Sequence, residues 1–294
     1  MSWLRRRRSS PPHAAASDER LTPTFRDEEL QQRFEQDGYV TAQLLDDEGI
    51  QAARELRRRL GPAPGDSGSG LFNDTWSTDE AYKREVIGGL TALVAPRLAV
   101  LLVDHRPLGI VHIVKWPGDS GRVVAHRDPT FVDETHHRSV GVWCTLHDLT
   151  ADEGPLRVIP GSHRLPSGVR VHQSPENLYP EVDSVVDEVS VPVPLRPGEA
   201  LLYDHRLIHL SEANRTEQER VVVGGIVVPA SVQAIYAVQT PSGARCVQIE
   251  PEFFAEHRLD QLDVDRVMSS CPDLGPVPED RTHIGLEDLR ALRR

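Results

Sequence analysis

The chain has 294 residues, 38% apolar and 27% charged, enough for one large domain and no reason to require two. A net charge of −12 argues against a nucleic-acid groove, and no apolar run approaches the roughly 18 residues needed to span a membrane. Cys144, Cys246 and Cys271 are far apart and lack CxxC spacing, so neither a zinc cage nor a disulfide framework is indicated and a reducing, cytoplasmic home is expected.

Residues 1–22 read as a disordered, basic, Pro/Ala-rich leader in which Arg5–Arg8 is followed by Ser-Ser-Pro-Pro and not by an apolar signal core. Residues 23–294 read as one domain, opening with helices over 25–98. The first is expected over Asp27–Gln36, ended by Asp37–Gly38, with a short strand at Tyr39–Ala42. The second opens at Asp46–Glu48 and runs to Leu60, its apolar positions Ile50, Ala53, Leu56 and Leu60 recurring at three- and four-residue steps. A third is predicted over Thr78–Ala95, with Pro96 after it.

From about 100 to 235 the pattern turns to short β-rich runs, Leu108–Trp116, Ser139–Leu146, Val189–Val193, Ala200–Tyr203 and Arg220–Val228, separated by Gly/Pro turns. Short punctuated strands without intervening helices predict a mostly β fold with flanking helices, an antiparallel barrel or jelly roll. Residues 250–294 are expected to be a helical extension, at Glu252–His257 and Leu286–Leu292.

His126 and Asp128 lie two residues apart and share one side if the backbone is extended. Downstream, His205 and His209 each offer a further imidazole, and Arg220 follows His209 by eleven residues. Two histidines, one carboxylate and a later arginine are the parts of an open iron(II) site beside a dicarboxylate cosubstrate.

Four blocks, Phe34–Val40, His126–Asp128, Gly154–Arg164 and the run from Gly198 to Arg220, are similar in order and spacing to the phytanoyl-CoA dioxygenase family of iron(II)/2-oxoglutarate oxygenases. The resemblance implies a double-stranded β-helix (jelly roll, cupin-like) core, Fe(II) on His126, Asp128 and His209, and O2 as co-reactant. It also implies 2-oxoglutarate held by Arg220 with support from Ser211, since the family's cosubstrate arginine follows the distal histidine by about eleven residues; Arg220 gives the planar fork that lysine lacks. His112 and Lys115 stand on the strand where the family often adds a cosubstrate contact. Trp143 resembles an aromatic wall of that site, with Thr145 on the same strand face. A halogenase of this fold usually has a small residue at the position of Asp128, so an oxygenase is the expectation.

The implied activity is oxidation, foremost hydroxylation, of a small organic substrate with succinate and CO2 as coproducts. The Arg/Ala/Pro-heavy, lysine-poor composition suggests a GC-rich bacterial genome, and with the breadth of the resembled family this implies tailoring of a secondary metabolite. The alternatives are a silent 2-oxoglutarate- and metal-binding module, or a cupin-like metal enzyme that does not use 2-oxoglutarate. His205 is expected near the site mouth, His136 and His137 in a solvated loop, and His147 and His163 in structural roles. The segments Leu71–Thr78, with Phe72 and Trp76, and Val132–Arg138 are too polar for core and are expected to form a lid over the substrate.

Overall fold

The computed structural model describes residues 22–171, 185–278 and 284–292, so the leader expected over 1–22 lies outside the described residues except for its last position. Helix α1 (Glu28–Asp37) starts where the Asp27 carboxylate accepts from the Leu30 amide. It stops at Gly38, whose φ of 85° suits glycine and whose amide donates to the Phe34 carbonyl. Strand β1 (Tyr39–Gln43) and helix α2 (Asp47–Leu60), capped by Asp46, follow as expected.

Helix α3 spans Glu80–Leu101 and runs through Pro96, beyond the predicted stop at Ala95. Pro96 and Ala92, whose carbonyl loses its amide donor, are both exposed, while Leu98 and Leu101 continue the buried stripe of Val86, Leu90 and Val94. Packing on the sheet carries the helix past its breaker.

Strands β2 (Leu71–Asn73), β3 (His105–Lys115), β4 (Val123–His126), β5 (Val140–Thr145) and β6 (Leu156–Val158) come next. They are followed by a short α4 (Val186–Val189), then β7 (Val191–Pro192), β8 (Glu199–Asp204), β9 (His209–Ser211) and β10 (Arg220–Pro229). They form a six-stranded sheet in the order β1-β8-β5-β10-β3-β2 and a four-stranded sheet in the order β4-β9-β6-β7. Their strand pairs are antiparallel, the jelly-roll arrangement expected from the punctuated strands.

Period-two alternation gives the large sheet two different faces. Trp143, Leu201, Tyr203 and Val222 pack inward against Leu156 and Val158 of the small sheet. Ile110, Val114, Val142, Cys144, Leu202 and Val223 pack outward under α1 to α3.

The tail has the two helices expected within Glu252–His257 and Leu286–Leu292, but they accompany a small sheet that the helical pattern does not predict. Strands β11 (Ile235–Thr240), β12 (Gly243–Gln248) and β13 (Asp273–Pro276) form a third sheet, with α5 (Phe253–Glu256) and α6 (Val264–Ser270) between the last two and α7 (Leu286–Ala291) after them. The sequence Asp-Leu-Gly-Pro of β13 carries no strand signal of its own. It is held by pairing with β12 and by the Arg245–Asp273 ion pair. No helix among the described residues is long and apolar enough to cross a membrane.

Both expected lid segments are packed into the body. Phe72 pairs with Val114 and lies in the helix-side core, away from the barrel interior. Trp76 stands edge-on to Phe72 at 6.1 Å, wedged between that core and the aromatic cluster around Phe131. The polar residues between them are satisfied internally: the buried Asp74 carboxylate accepts from the His112 amide at 2.8 Å and from the Tyr82 hydroxyl at 3.1 Å. In the second segment Val132 is fully buried, and Glu134 takes a two-bond fork from Arg170 at 2.5 and 2.8 Å. Part of the polarity of both segments is therefore spent on internal hydrogen bonds.

Candidate metal and cosubstrate site

Strands β4 and β9 lie side by side in the small sheet with His126 directly opposite His209. Asp128 follows β4 and is tied back by its amide, which donates to the His205 carbonyl. One ligand atom from each of His126, Asp128 and His209 lies within 4.8 Å of the others. Asp128 Oδ1 is 3.7 Å from His126 Nε2 and 3.9 Å from His209 Nε2.

The imidazoles are oriented for metal binding. His126 Nδ1 is 2.9 Å from the Val124 carbonyl and His209 Nδ1 is 3.0 Å from the Leu207 carbonyl. A carbonyl can only accept, so Nδ1 carries a proton in each ring and Nε2 is the nitrogen turned toward the other donors. Burial, together with His126, lowers His209 to about 4, so it is neutral at pH 7. Burial alone would raise Asp128, but His209, His205, His126 and the Tyr203 hydroxyl bring it down to about 2, so it is ionised. Two imidazole nitrogens and one carboxylate are the donor set that suits Fe(II).

His205, the competing distal histidine, is buried on the other side of Asp128. Its Nδ1 is 2.7 Å from the Ser139 hydroxyl and its Nε2 is 3.9 Å from Asp128 Oδ2. It meets Phe131 and Tyr203 edge-on and is not one of the three converging donors.

Arg220 opens β10 directly opposite Lys115, the last residue of β3. Both are buried. Like charges facing each other across two strands repel; Glu212 and Glu153 favour the charged forms of Lys115 and Arg220 from a distance, but neither is in a described ion pair with them. Burial, with Arg220 beside it, lowers Lys115 to about 7, and burial lowers Arg220 to about 10. Lys115 donates to the Ser211 hydroxyl at 2.6 Å and to the Glu212 carbonyl. Arg220 donates to the Gly154 carbonyl at 2.5 Å, stacks over Trp143 at 5.0 Å, and has a buried Nε without a partner. Gly154 has φ of 63°, and a Cβ there would meet the Glu212 carbonyl oxygen at 2.1 Å, so only glycine brings that carbonyl to Arg220. The cradle carries surplus positive charge and an unmet donor, which fits a dicarboxylate.

Two expected cosubstrate contacts are placed elsewhere. His112 lies three positions before Lys115 on β3, an odd offset, so it faces the helices. Its ring nitrogens lie 3.1 Å from Asp74 Oδ2 and 3.2 Å from the Ala53 carbonyl. The same alternation, applied to the sequence, separates the two residues. Thr145 shares the inner face with Trp143, but its hydroxyl donates to the His147 carbonyl at 2.6 Å. Tyr203 and Gly154, unassigned from the sequence, do reach the site: the Tyr203 hydroxyl donates to Asp128 Oδ2 at 2.8 Å. Alternation with Leu201 puts Tyr203 on the inner face, but its partner depends on tertiary packing.

Comparisons with known proteins bear on the family and the fold. The chain is 34% identical over 128 residues to phytanoyl-CoA dioxygenase domain-containing protein 1 of Danio rerio, covering 41% of this chain and 44% of that protein. It is 31% identical over 118 residues to phytanoyl-CoA dioxygenase 1 of Oryza sativa subsp. japonica, covering 37% and 40%. The matched stretch thus spans less than half the length of these relatives. Among solved structures it is similar to the non-heme alpha ketoglutarate dependent carbocyclase SnoK from nogalamycin biosynthesis (TM-score 0.51, 21% identity, covering 71% of this chain and 86% of SnoK). It is also similar to HygX from Streptomyces hygroscopicus, solved with nickel, 2-oxoglutarate and hygromycin B bound (TM-score 0.50, 18% identity, covering 70% and 88%). At these identities the structures speak for the fold. The family model for phytanoyl-CoA dioxygenase matches residues 34–222, which run from within α1 into β10 and contain all three converging donors and the paired cations, and the chain belongs to that family.

Proposed function

We propose that this chain is a non-haem Fe(II)/2-oxoglutarate-dependent oxygenase that oxidises, foremost by hydroxylation, a small organic substrate, with succinate and CO2 as coproducts. The observation that carries the reading is the meeting of two features in one barrel: three converging donors, and two buried cations facing each other without a carboxylate between them. His126, Asp128 and His209 would hold the iron, and Arg220, Lys115 and Ser211 the remote carboxylate of 2-oxoglutarate. Bound there, ferrous iron supplies the oxygen chemistry that no side chain offers.

The chain's own residues prepare that chemistry. The Val124 and Leu207 carbonyls fix the tautomers of the two histidines. The Gly154 carbonyl and the Trp143 face orient the Arg220 fork. The packed inner cluster around Trp143, Leu201 and Val222 keeps water from the anchored end of the site. Three free cysteines, two of them buried, suit a reducing compartment that also keeps iron ferrous. The sequence composition supports a substrate from bacterial secondary metabolism, as do the descriptions of SnoK (nogalamycin biosynthesis) and HygX (hygromycin B bound).

A screen of candidate substrates for 2-oxoglutarate-dependent succinate release, with the product analysed by mass, tests this function. Substrate-independent succinate release that needs His209 would keep the cosubstrate reading. Metal binding without any 2-oxoglutarate binding would move the chain to a metal enzyme of another kind.

A further inference from the structure

The two oxygens of Asp128 are held unequally. Oδ1 faces His126 Nε2 and His209 Nε2 at 3.7 and 3.9 Å, whereas Oδ2 accepts from the Tyr203 hydroxyl at 2.8 Å. The only other side-chain nitrogen beside Oδ2 among the described ion pairs is His205 Nε2, at 3.9 Å.

Tyr203 reaches Oδ2 because β5 makes room for it. Gly141 is its cross-strand partner, and a Cβ at Gly141 would lie 2.3 Å from Tyr203 Cζ and 2.5 Å from another ring carbon. No side chain fits there without moving the ring. The ring is also flanked by His209 and His205, with centroids at 4.9 and 5.9 Å. Packing on three sides, beyond a single hydrogen bond, therefore fixes where the hydroxyl points.

We propose that Tyr203 is a positioning residue that keeps Asp128 a one-oxygen ligand, and that Gly141 is its seat; this rests on reading His126, Asp128 and His209 as the metal site. A carboxylate with both oxygens free can chelate a divalent cation and occupy two of its positions. Here a second carboxylate oxygen on the metal would consume a position that the cosubstrate or oxygen requires. With one lone pair engaged by the Tyr203 hydroxyl and the carboxylate plane fixed by that bond, Oδ2 is turned away and the coordination edge stays open.

The test compares the intact chain with Tyr203→Phe and Gly141→Ala, loaded anaerobically with cobalt(II) and titrated with 2-oxoglutarate. Cobalt(II) visible absorption weakens as the coordination number rises, so the spectrum reads the number of donors directly. Tyr203→Phe keeps the ring and loses only the hydroxyl. It is expected to bind cobalt at least as tightly as the wild type, to absorb more weakly before cosubstrate is added, and to bind 2-oxoglutarate at least about tenfold more weakly, the scale set by one hydrogen bond to a charged group. Gly141→Ala is expected to change the spectrum in the same direction. If it does not fold, Tyr203→Phe alone carries the test. Spectra and cosubstrate affinities identical in wild type and Tyr203→Phe overturn the proposal and leave the metal site standing. Loss of cobalt binding in Tyr203→Phe also overturns it, because the hydroxyl would then hold the site together and not select an oxygen. A wild-type chain that takes up no cobalt overturns the metal site and the proposal with it.

Discussion

The guanidinium carbon of Arg220 lies 5.0 Å from the centroid of the Trp143 ring, and the same side chain donates to the Gly154 carbonyl at 2.5 Å. A cation held on an aromatic face and one carbonyl, with its Nε buried and unpartnered, is oriented before any anion arrives. Removing one partner of a buried charge pair costs on the order of 3–5 kcal/mol, so Arg220→Ala should weaken 2-oxoglutarate binding by at least about a hundredfold in calorimetry. Arg220→Lys should recover only part of this, since it restores the charge without the fork. Unchanged affinity in Arg220→Ala would shift the anchor to Lys115.

The two candidate distal histidines are separable by metal titration. His209 converges with His126 and Asp128, whereas His205 is spent on Ser139 and packs behind Asp128. Anaerobic iron(II) titration should therefore show a large loss of affinity in His209→Ala and near-normal binding in His205→Ala. The opposite pair of results would reassign the ligand.

Lys115 offers a pH test of the cosubstrate cradle. Burial and the facing Arg220 lower it to about 7, so in the free protein it loses its charge as pH rises through that value. A dianion prefers the charged form, so 2-oxoglutarate affinity should fall as pH rises above about 7, with proton uptake on binding. In Lys115→Met that slope should vanish along with part of the affinity. A pH-independent affinity in the wild type would remove Lys115 from the anchor.

His112 should behave as a structural residue. Its imidazole lies between Asp74 and the Ala53 carbonyl on the helix side of β3. His112→Leu leaves Asp74 short of a partner in a buried position, a loss of about 1–3 kcal/mol in urea unfolding. Cosubstrate affinity should stay at its wild-type value, and a selective loss of that affinity would return His112 to the site.

Acid stability provides the remaining check. His163 sits against Gly38 with Nε2 3.2 Å from the Glu35 carbonyl, and burial holds it down to about 4. Its folded pKa is below the unfolded value of about 6.5. The unfolded chain therefore binds the extra proton first, and this part of the stability is present above about pH 6.5 and lost as pH falls toward 4. Urea midpoints of the metal-free protein should decline across that window, and His163→Gln should flatten the decline whatever it does to the absolute stability. An unchanged slope in His163→Gln would assign the acid sensitivity to other groups.

What the sequence determined by itself is whatever depends on local rules. Asp27, Gly38 and Asp46 place the helix ends through short-range hydrogen bonds and backbone conformation. Period-two alternation in β3, β5 and β10 names the inner and outer faces, and the ordered blocks from Phe34 to Arg220 carry the family. Tertiary structure alone decided the features that depend on residues distant in the chain. The register of β8 on β5 sets Tyr203 over Gly141, and the passage of Gly154 past Glu212 delivers a carbonyl to Arg220. The Arg170 fork ties Glu134 of the second polar loop to a distant part of the chain, and sheet packing carries α3 through Pro96. Hydrogen-bond partners and packing surfaces of this kind have no signature in any single stretch of sequence, because each exists only once the two strands or loops that form it have met.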